Sequence, residues 1–335
     1  MSQSPPAAGG RKGPRILFVR LSAIGDILHT LPALTYVRSC LPEAHIGWVV
    51  EELSAPYLDG HPGLDEVFIV PRKRWRGRWT QVWRSEVLPY FRALRARGWD
   101  SAIDFQGLTK SGLVAWASGA PRRVGYGDRD GRELNKLFTT VRVKPPASAR
   151  HVVERNLALV EGLGLTPPQK PVYGTLALRN DERAAAERFF AEWGVRPGEG
   201  VVALNPGAGW SSKRWPPGHF AALGAMLARE TGMRMLVFWG PREEPLRDAI
   251  VEGLRERGVE AQAAPPTTLR QLAAFVERTA LFVGGDTGPT HLAALLGVPT
   301  VGVFGSSDSV RNGPWGPRAI TVARTELDCL PCWKT

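Results

Sequence analysis

The sequence predicts an α/β protein made of two doubly wound domains with parallel sheets. Short apolar runs alternate with helical stretches along most of the chain, and strands that are apolar on both faces are typical of parallel sheets covered by helices. The alternation is interrupted by a stretch rich in proline and turn residues at 166–174 and then restarts. The length of 335 residues also suits two domains, at roughly 150 residues for each domain.

The first half of the chain contains the pattern of one such domain. Strand-like runs lie at 15–20, 45–50 and 101–105, and helices are expected at about 27–40, after Gly107 and at 151–164. The last of these helices is amphipathic and ends in glycine, a common helix terminator. The stretch at 166–174 is therefore the best candidate for a linker.

The second half repeats the alternation. Strand-like runs lie at 201–205, 234–238, 280–284 and 299–305, and helical segments at about 218–230, 243–257, 268–278 and 289–296. In doubly wound domains, ligands bind where loops leave the carboxyl ends of the strands. We expect a ligand-binding cleft between two domains of this kind.

Composition excludes several classes of protein. Hydrophobic residues make up 43% and charged residues 22%, which is ordinary for a globular protein and excludes a disordered or fibrous chain. No run approaches the roughly 18 apolar residues of a membrane span. Residues 1–14 lack the apolar core of a signal peptide and are expected to form a flexible tail. The three cysteines, Cys40, Cys329 and Cys332, favour a reducing, cytosolic compartment.

The positive charge is concentrated in the first half. The whole chain carries +11, and residues 1–175 carry 25 basic and 15 acidic side chains, hence +10. This half should meet an anionic partner such as nucleic acid, an acidic membrane surface or a phosphorylated substrate. A surface that is basic only for solubility would not explain the asymmetry.

A segment at 71–84, PRKRWRGRWTQVWR, has the strongest basic and aromatic character. Trp75, Trp79 and Trp83 recur every four residues, which would stack them along one face of a helix. An aromatic stripe flanked by arginines suits an anionic lipid interface. Alternatively, the tryptophans face the protein core and the arginines are merely solvated.

Four loops at strand ends carry the candidate chemistry, namely LSAIGD at 21–26, NPGAGWSSKRWP at 205–216, WGPREE at 239–244 and GGDTGPTH at 284–291. In the first loop, Asp26 opens a helix, so it is either a helix cap or a reactive carboxylate. In the second, small residues would let backbone amides approach a phosphate, and Lys213 supplies a mobile cation.

The other two loops also allow two interpretations each. Glu243 or Glu244 could accept hydrogen bonds from a ribose, or could simply complement a helix dipole. Asp286, Thr287 and Gly288 lead into a helix whose first turn offers backbone donors. The second loop, at 205–216, matches neither a Walker A motif nor a GxGxxG dinucleotide motif.

Two further motifs resemble parts of metal sites, but we predict that neither binds a metal. GDRDG at 127–131 contains an Asp-x-Asp, at Asp128 and Asp130, that some sugar-transferring enzymes use for Mn²⁺ or Mg²⁺. It lies among arginines outside any strand, so we predict a solvated loop. CLPC at 329–332 is half of a zinc site with no second pair in view, so no metal is assigned.

Taken together, these motifs resemble glycosyltransferase family 9, which contains the ADP-heptose:lipopolysaccharide heptosyltransferases. The resemblance rests on RILFVRLSAIGDILHTLPAL, WVVEE, IDFQGLTKSG, KRWP and GGDTGPTHLAALLGVPTVGVFG, which are collinear over 15–305. It implies a GT-B fold with two Rossmann-like domains facing across a cleft. The implied acceptor-binding domain is 15–175, and the implied nucleotide-sugar-binding domain is 176–335.

The resemblance also implies the roles of individual residues. Asp26 matches the general base, and Lys213 matches the lysine that offsets the charge of the leaving diphosphate. The implied donor-binding residues are Asn205, Gly207, Lys213, Glu243, Asp286, Thr287, Gly288 and His291. The implied acceptor-binding residues are Arg20, Ser22, Gly25, Asp104, Gln106 and Lys110. The resemblance also implies direct displacement with inversion, and no obligatory metal or other cofactor.

The implied function is transfer of heptose from ADP-heptose to the lipopolysaccharide inner core, on Kdo-lipid A or heptosyl-Kdo-lipid A. The acceptor would be an anionic, phosphorylated glycolipid, met by a cytoplasmic protein docked on the inner leaflet through 71–84, with no nucleic acid involved. Alternatives are a related enzyme using another sugar nucleotide, a nucleotide-sugar isomerase or hydrolase, and a non-catalytic binding protein.

Two departures from the family leave its subtypes open. The basic segment at 71–84 resembles the first type of heptosyltransferase, and DCLPC at 328–332 resembles the second. The sequence stops where relatives of the second type continue into a terminal helix. We therefore expect either a fragment or a branch of the family that ends early.

Overall fold

The computed structural model describes residues 12–196 and 198–324, without the side chain of Trp79. The expected tail at 1–14 therefore lies mostly outside the described residues, as do Cys329 and Cys332. The chain divides into two compact units between Ala177 and Leu178. Each unit contains one six-stranded parallel sheet.

The sheet of the N-terminal unit has the strand order β3-β2-β1-β4-β5-β6. Its strands are β1 Arg15–Val19, β2 His45–Glu51, β3 Glu66–Val70, β4 Ser101–Asp104, β5 Arg122–Tyr126 and β6 Val141–Val143. The order reverses at the neighbouring strands β1 and β4, so the loops that follow these two strands begin side by side. This is the position at which doubly wound sheets bind ligands.

Seven α-helices of this unit are described, together with a π-helical turn at Trp83–Val87. The helices are α1 Ile24–Leu28, α2 Leu31–Cys40, α3 Arg72–Trp75, α4 Trp79–Val82, α5 Leu88–Ala96, α6 Thr109–Ala117 and α7 Val152–Ala158. The core includes Leu17 and Val19 of β1, Leu94 of α5 and Val114 of α6, all of which are buried. Burial of these apolar side chains from both strands and helices holds the layers together.

The helix expected at about 27–40 is in fact two helices. It begins earlier, at Ile24, and is interrupted after Leu28 before α2 resumes at Leu31. Pro32 lies in the first turn of α2, where its missing N–H costs nothing. Within a continuous helix the same proline would remove a hydrogen bond to Leu28 and clash with the preceding turn.

The sheet of the C-terminal unit has the order β12-β11-β10-β7-β8-β9, and β7 and β10 are neighbours at its point of reversal. Its strands are β7 Val201–Asn205, β8 Arg234–Val237, β9 Ala261–Ala263, β10 Leu281–Gly284, β11 Thr300–Phe304 and β12 Ala319–Ala323. Its helices are α8 Asn180–Glu192, α9 Pro217–Thr231, α10 Glu244–Arg255, α11 Leu269–Glu277, α12 Gly288–Leu295 and α13 Ser309–Asn312. The four helices predicted in this half are confirmed.

Segment 71–84 does not form the single helix that would stack its three tryptophans along one face. Gly77 has φ +75° and ends the helical turn of α3 before α4 begins, because glycine adopts this left-handed conformation readily. Trp75 is buried and donates its indole N–H to Glu86 Oε2 at 3.1 Å. Trp83 is 47% exposed. The segment thus contributes one tryptophan to the core and presents another on the surface.

None of the described helices combines the length and the apolar character that crossing a membrane requires.

Candidate active site

Asp26 lies in the first turn of α1, directly after the loop that leaves β1. Its Oδ2 accepts a hydrogen bond from the Ala23 N–H at 3.2 Å. The same oxygen forms an ion pair with Arg20 at 2.7 Å. The Asp26 side chain is 40% exposed, whereas that of Arg20 is 9% exposed. The carboxylate therefore helps to close the helix start and still faces solvent, so the cap and the reactive interpretations are compatible.

The loop after β1 is tied to the loop after β4. Arg20 donates to the carbonyl oxygen of Phe105, and the Leu21 N–H donates to Gln106 Oε1 at 2.9 Å. Arg20 and Gln106 are both buried. These bonds fix the guanidinium that holds Asp26, so both residues act on the carboxylate by positioning it.

Asp104 lies beneath these loops. It is fully buried and accepts hydrogen bonds from Ser111 Oγ at 2.8 Å and Asn135 Nδ2 at 2.6 Å, and from the backbone N–H groups of Gln106 and Gly107. Burial raises the pKa of this carboxyl, although all four hydrogen bonds oppose the rise. With both oxygens bonded inside the unit, Asp104 orders the loop that carries Gln106.

Lys110 joins two strand ends at the start of α6. Its Nζ lies 3.3 Å from Ser22 Oγ and 3.0 Å from Glu51 Oε1, and Glu51 also pairs with Arg72 at 3.1 Å. Glu51 ends β2, and the sequence analysis gave it no role. The signal that could have identified Glu51 is its position, because an acidic side chain at the carboxyl end of a buried strand needs partners for its charge.

A buried hydrogen-bond chain supports α1 from below. Asn156 of α7 donates to the carbonyl oxygen of His29 at 3.0 Å and to Thr30 Oγ1 at 3.3 Å. Thr30 in turn donates to the carbonyl oxygen of Asp26 at 2.8 Å, and Tyr126 donates to Asn156 Oδ1 at 2.6 Å. Asn156 therefore connects β5 and α7 to the helix that carries Asp26, a role that sequence analysis missed.

Replacing Asn156 by alanine is expected to lower both stability and turnover. The lost hydrogen bonds involve buried groups, for which the cost is about 1–3 kcal/mol each. We expect a lower urea midpoint, and a reduced kcat with nucleotide affinity unchanged because the effect is confined to the N-terminal unit. Urea unfolding and steady-state kinetics would measure these changes.

The double variant Asn156→Ala, Tyr126→Phe is the matched control. It also removes the Tyr126 hydroxyl, which has lost its acceptor on Asn156 in the single variant. Partial recovery of the urea midpoint in the double variant is expected. A kcat equal to that of the unmodified protein would contradict the positioning role.

In the C-terminal unit, Lys213, Asp286 and His291 form one cluster. Lys213 Nζ lies 2.5 Å from Asp286 Oδ2, and His291 Nε2 lies 3.3 Å from Asp286 Oδ1. Burial alone would raise the pKa of Asp286, but hydrogen bonds and charge from His291 and Lys213 hold it well below its ordinary value. Lys213 also lies 5.0 Å from the Trp210 ring centroid, a cation–π contact. The loops after β7 and β10 are thus linked through an ionised carboxylate.

A second link joins the same two loops. Asn205, at the end of β7, donates to Thr287 Oγ1 at 3.3 Å. Thr287 precedes Gly288, the first residue of α12. Thr290 Oγ1 donates to the carbonyl oxygen of Gly285 at 2.6 Å. These bonds hold the start of α12, whose first-turn N–H groups suit an anionic ligand.

Gly207 and Glu243 are in direct contact. A Cβ built on Gly207 would lie 2.0 Å from Glu243 Oε2, so a larger residue at 207 would displace the Glu243 carboxylate. Glu243 Oε2 accepts a hydrogen bond from the Gly240 N–H at 2.8 Å. Glu244 is the first residue of α10, and Glu243 occupies the N-cap position of that helix without a side-chain capping hydrogen bond. The structure therefore places Glu243, rather than Glu244, against the glycine-rich loop.

The prediction of a solvated GDRDG loop is wrong. Asp128 and Asp130 both form ion pairs with Arg155, whose side chain is 6% exposed. Partial burial would raise the pKa of Asp128, but the hydrogen bonds and charge of Arg155 lower it. The Asp-x-Asp motif is thus part of a salt-bridge network. Among residues 12–196 and 198–324, no three His, Cys, Asp or Glu side chains are grouped so as to hold a metal ion.

Curated relatives match this chain over most of its length. Lipopolysaccharide heptosyltransferase 1 of Escherichia coli O18:K1:H7 (strain RS218 / NMEC) is 32% identical over 306 residues, which is 90% of this chain and 89% of that protein. Lipopolysaccharide heptosyltransferase 1 of Pseudomonas aeruginosa PAO1 is 30% identical over 322 residues, 96% of this chain and 86% of that protein.

Solved structures show the same fold. A glycosyltransferase of family 9 from Veillonella parvula DSM 2008 has a TM-score of 0.80 at 25% identity, covering 94% of this chain and 87% of that one. The E. coli heptosyltransferase WaaC with ADP has a TM-score of 0.75 at 29% identity, covering 92% of this chain and 93% of that one. Together with two sheets of Rossmann-like order, this confirms the GT-B fold class.

The model of glycosyltransferase family 9 (heptosyltransferase) matches residues 87–335. This range includes the loops of Lys213, Glu243 and Asp286, whereas the loop of Asp26 lies before it. The chain therefore belongs to glycosyltransferase family 9, the heptosyltransferase family.

Proposed function

We propose that this protein transfers heptose from ADP-heptose to the lipopolysaccharide inner core, with inversion and without an obligatory metal. The observation that carries the proposal is Asp26, a half-exposed carboxylate held by Arg20 at the point where the N-terminal sheet reverses. The relatives named lipopolysaccharide heptosyltransferase 1 support the substrate pair and favour the first type of heptosyltransferase.

In this mechanism Asp26 acts as the general base. Its carboxylate accepts the proton of the acceptor hydroxyl, and that oxygen forms a bond to the anomeric carbon. The bond from the anomeric carbon to the diphosphate oxygen breaks, and ADP leaves with the bonding electrons. A single displacement of this kind inverts the anomeric configuration.

The C-terminal unit stabilises the leaving ADP. Lys213 offers a positive charge next to the loop after β10, and the first turn of α12 offers backbone N–H groups. Such groups stabilise negative charge that develops on a diphosphate. Asp286 holds Lys213 in place, and Glu243 faces the glycine-rich loop where a ribose hydroxyl would donate. These groups can serve the leaving group in place of a metal ion.

Nucleotide selectivity tests the donor, and ADP is expected to bind more tightly than UDP or GDP. The cations and backbone donors come from the chain itself, so the Kd of ADP should not change when EDTA is added. Isothermal titration calorimetry of the full chain with each nucleotide would measure this. Tighter binding of UDP or GDP would support a related enzyme with another sugar nucleotide, and loss of binding in EDTA would contradict metal independence.

The proposed acceptor is an anionic, phosphorylated glycolipid at the inner leaflet of the cytoplasmic membrane. The N-terminal half carries nearly all of the excess positive charge. In segment 71–84, Arg76 and Arg78 are exposed on either side of the Gly77 turn, and Trp83 is exposed. Basic side chains with interfacial tryptophan suit an anionic lipid surface, which supports docking through this segment.

A further inference from the structure

The N-terminal unit contains a cavity of about 720 Å³ that the proposed mechanism does not use. Its walls come from the end of β3, the Gly77 turn, α5 and α6. The volume lies within the range of about 300–1,000 Å³ that is typical of small-molecule sites. It is therefore large enough to hold a ligand.

The walls of this cavity are mainly apolar. They include Trp75, Leu88, Phe91, Leu113, Val114 and Trp116. Leu113 is 44% exposed and Trp116 is 57% exposed, although both lie on a helix whose opposite face packs in the core. Large apolar side chains that are left exposed around one concavity mark a binding surface for an apolar group.

The rim of the cavity is positively charged. Five cations line it, namely Arg72, Arg76, Arg92, Arg95 and Lys110, against one carboxylate, Glu51. Glu51 already pairs with Arg72 and Lys110. Within the described part of the chain, Arg76, Arg92 and Arg95 form no ion pair. An apolar interior below free guanidinium groups is complementary to an anionic amphiphile.

The cavity adjoins the loop that carries Asp26. Leu21 and Lys110 belong to its wall, and both residues take part in the bonds that order this loop. The Leu21 N–H bonds to Gln106, and Lys110 lies beside Ser22. A ligand in the cavity would therefore lie next to the loop that presents the base.

We propose that this cavity binds one acyl chain of the phosphorylated lipid acceptor, with a phosphate of that lipid held by Arg76, Arg92 and Arg95. This inference rests on the proposed function for the identity of the lipid. The apolar wall supplies affinity because it removes the methylene groups of the chain from water. The arginines select an anionic headgroup.

Calorimetry with dodecyl phosphate, kept below its micelle concentration, tests the cavity without any transfer reaction. Dodecyl phosphate should bind the full chain more tightly than either inorganic phosphate or dodecyl maltoside. Leu113→Glu should weaken it by about tenfold or more, because the new carboxylate lies in an apolar wall. Arg92→Ala should weaken dodecyl phosphate but not dodecyl maltoside.

Leu137→Glu is the matched control, since Leu137 is 73% exposed and lies outside the cavity lining. Equal affinities of the Leu113→Glu and Leu137→Glu variants for dodecyl phosphate would overturn the proposal. So would dodecyl phosphate that binds no more tightly than inorganic phosphate. A defect of Leu113→Glu seen only with phospholipid vesicles would assign the surface to bilayer docking, and would also overturn it.

A transfer assay separates this proposal from the proposed function. Leu113→Glu should lower kcat/KM for the acylated acceptor while leaving that for a fully deacylated acceptor unchanged. Equal losses with both acceptors would contradict an acyl-chain site. Absence of transfer in the unmodified protein would instead refute the proposed function. The dodecyl phosphate titration would still show whether the cavity binds an anionic amphiphile.

Discussion

Replacing Asp26 by asparagine is expected to lower kcat by about two to four orders of magnitude, the usual contribution of a general base. Asparagine can still accept the hydrogen bond from the Ala23 N–H, so the start of α1 is preserved. The affinity for ADP should be nearly unchanged, because the loops proposed to bind the nucleotide belong to the C-terminal unit. Steady-state kinetics and calorimetry with ADP would measure the two quantities.

Asp59→Asn is the matched control for this variant, because Asp59 is an exposed acid of the same unit outside the site. It should leave kcat unaltered. Equal losses of turnover and ADP affinity in Asp26→Asn would indicate a purely structural cap. An unchanged kcat would remove Asp26 from the mechanism altogether.

Replacing Lys213 by alanine is expected to weaken ADP binding by about 10- to 100-fold, the effect of losing a hydrogen bond to a charged group. The variant should also lower kcat, because the charge on the leaving diphosphate grows in the transition state. His291 still contacts Asp286 in this variant, so the loop after β10 keeps one of its supports. Calorimetry with ADP and single-turnover kinetics would measure the two effects.

Lys213→Met separates charge from packing, since methionine keeps an apolar stem against Trp210 but carries no cation. It should behave like Lys213→Ala with ADP and be no less stable to heat than Lys213→Ala, since both variants leave Asp286 without this cation. ADP affinity that is unaltered in both variants would show that this lysine does not serve the diphosphate.

Most strands in the interior of each sheet could be predicted from the sequence, and the edge strands could not. β1, β2, β4, β7, β8, β10 and β11 all appear where apolar runs predicted them. The prediction missed β3, β6, β9 and β12, which are the four edges of the two sheets, together with β5. Edge strands are covered on fewer sides, so their side chains, such as those of Ala261–Ala263, need not be uniformly apolar. β5 begins with two arginines, so its sequence does not form an apolar run that predicts a strand.

The site loops were recognisable from sequence for a local reason. Each one follows an apolar strand and leads into a helix, as the loops that carry Asp26 and Lys213 show. Their partners were not recognisable. Glu51 lies 59 residues from Lys110 along the chain, and Asn156 lies 126 residues from Thr30. Such pairs depend on the order of strands in the sheet, which no local pattern records.

The amino-acid sequence alone determined the alternation of strands and helices, the two parallel sheets and the loops that carry Asp26, Lys213 and Asp286. Tertiary structure alone decided that Trp75 is buried while Trp83 is exposed. It also decided that Arg155 forms ion pairs with both Asp128 and Asp130 of the GDRDG loop. The physical reason is the range of the forces involved. Periodic burial is imposed on neighbouring residues, whereas a buried charge is stabilised by whichever opposite charge the fold brings to it.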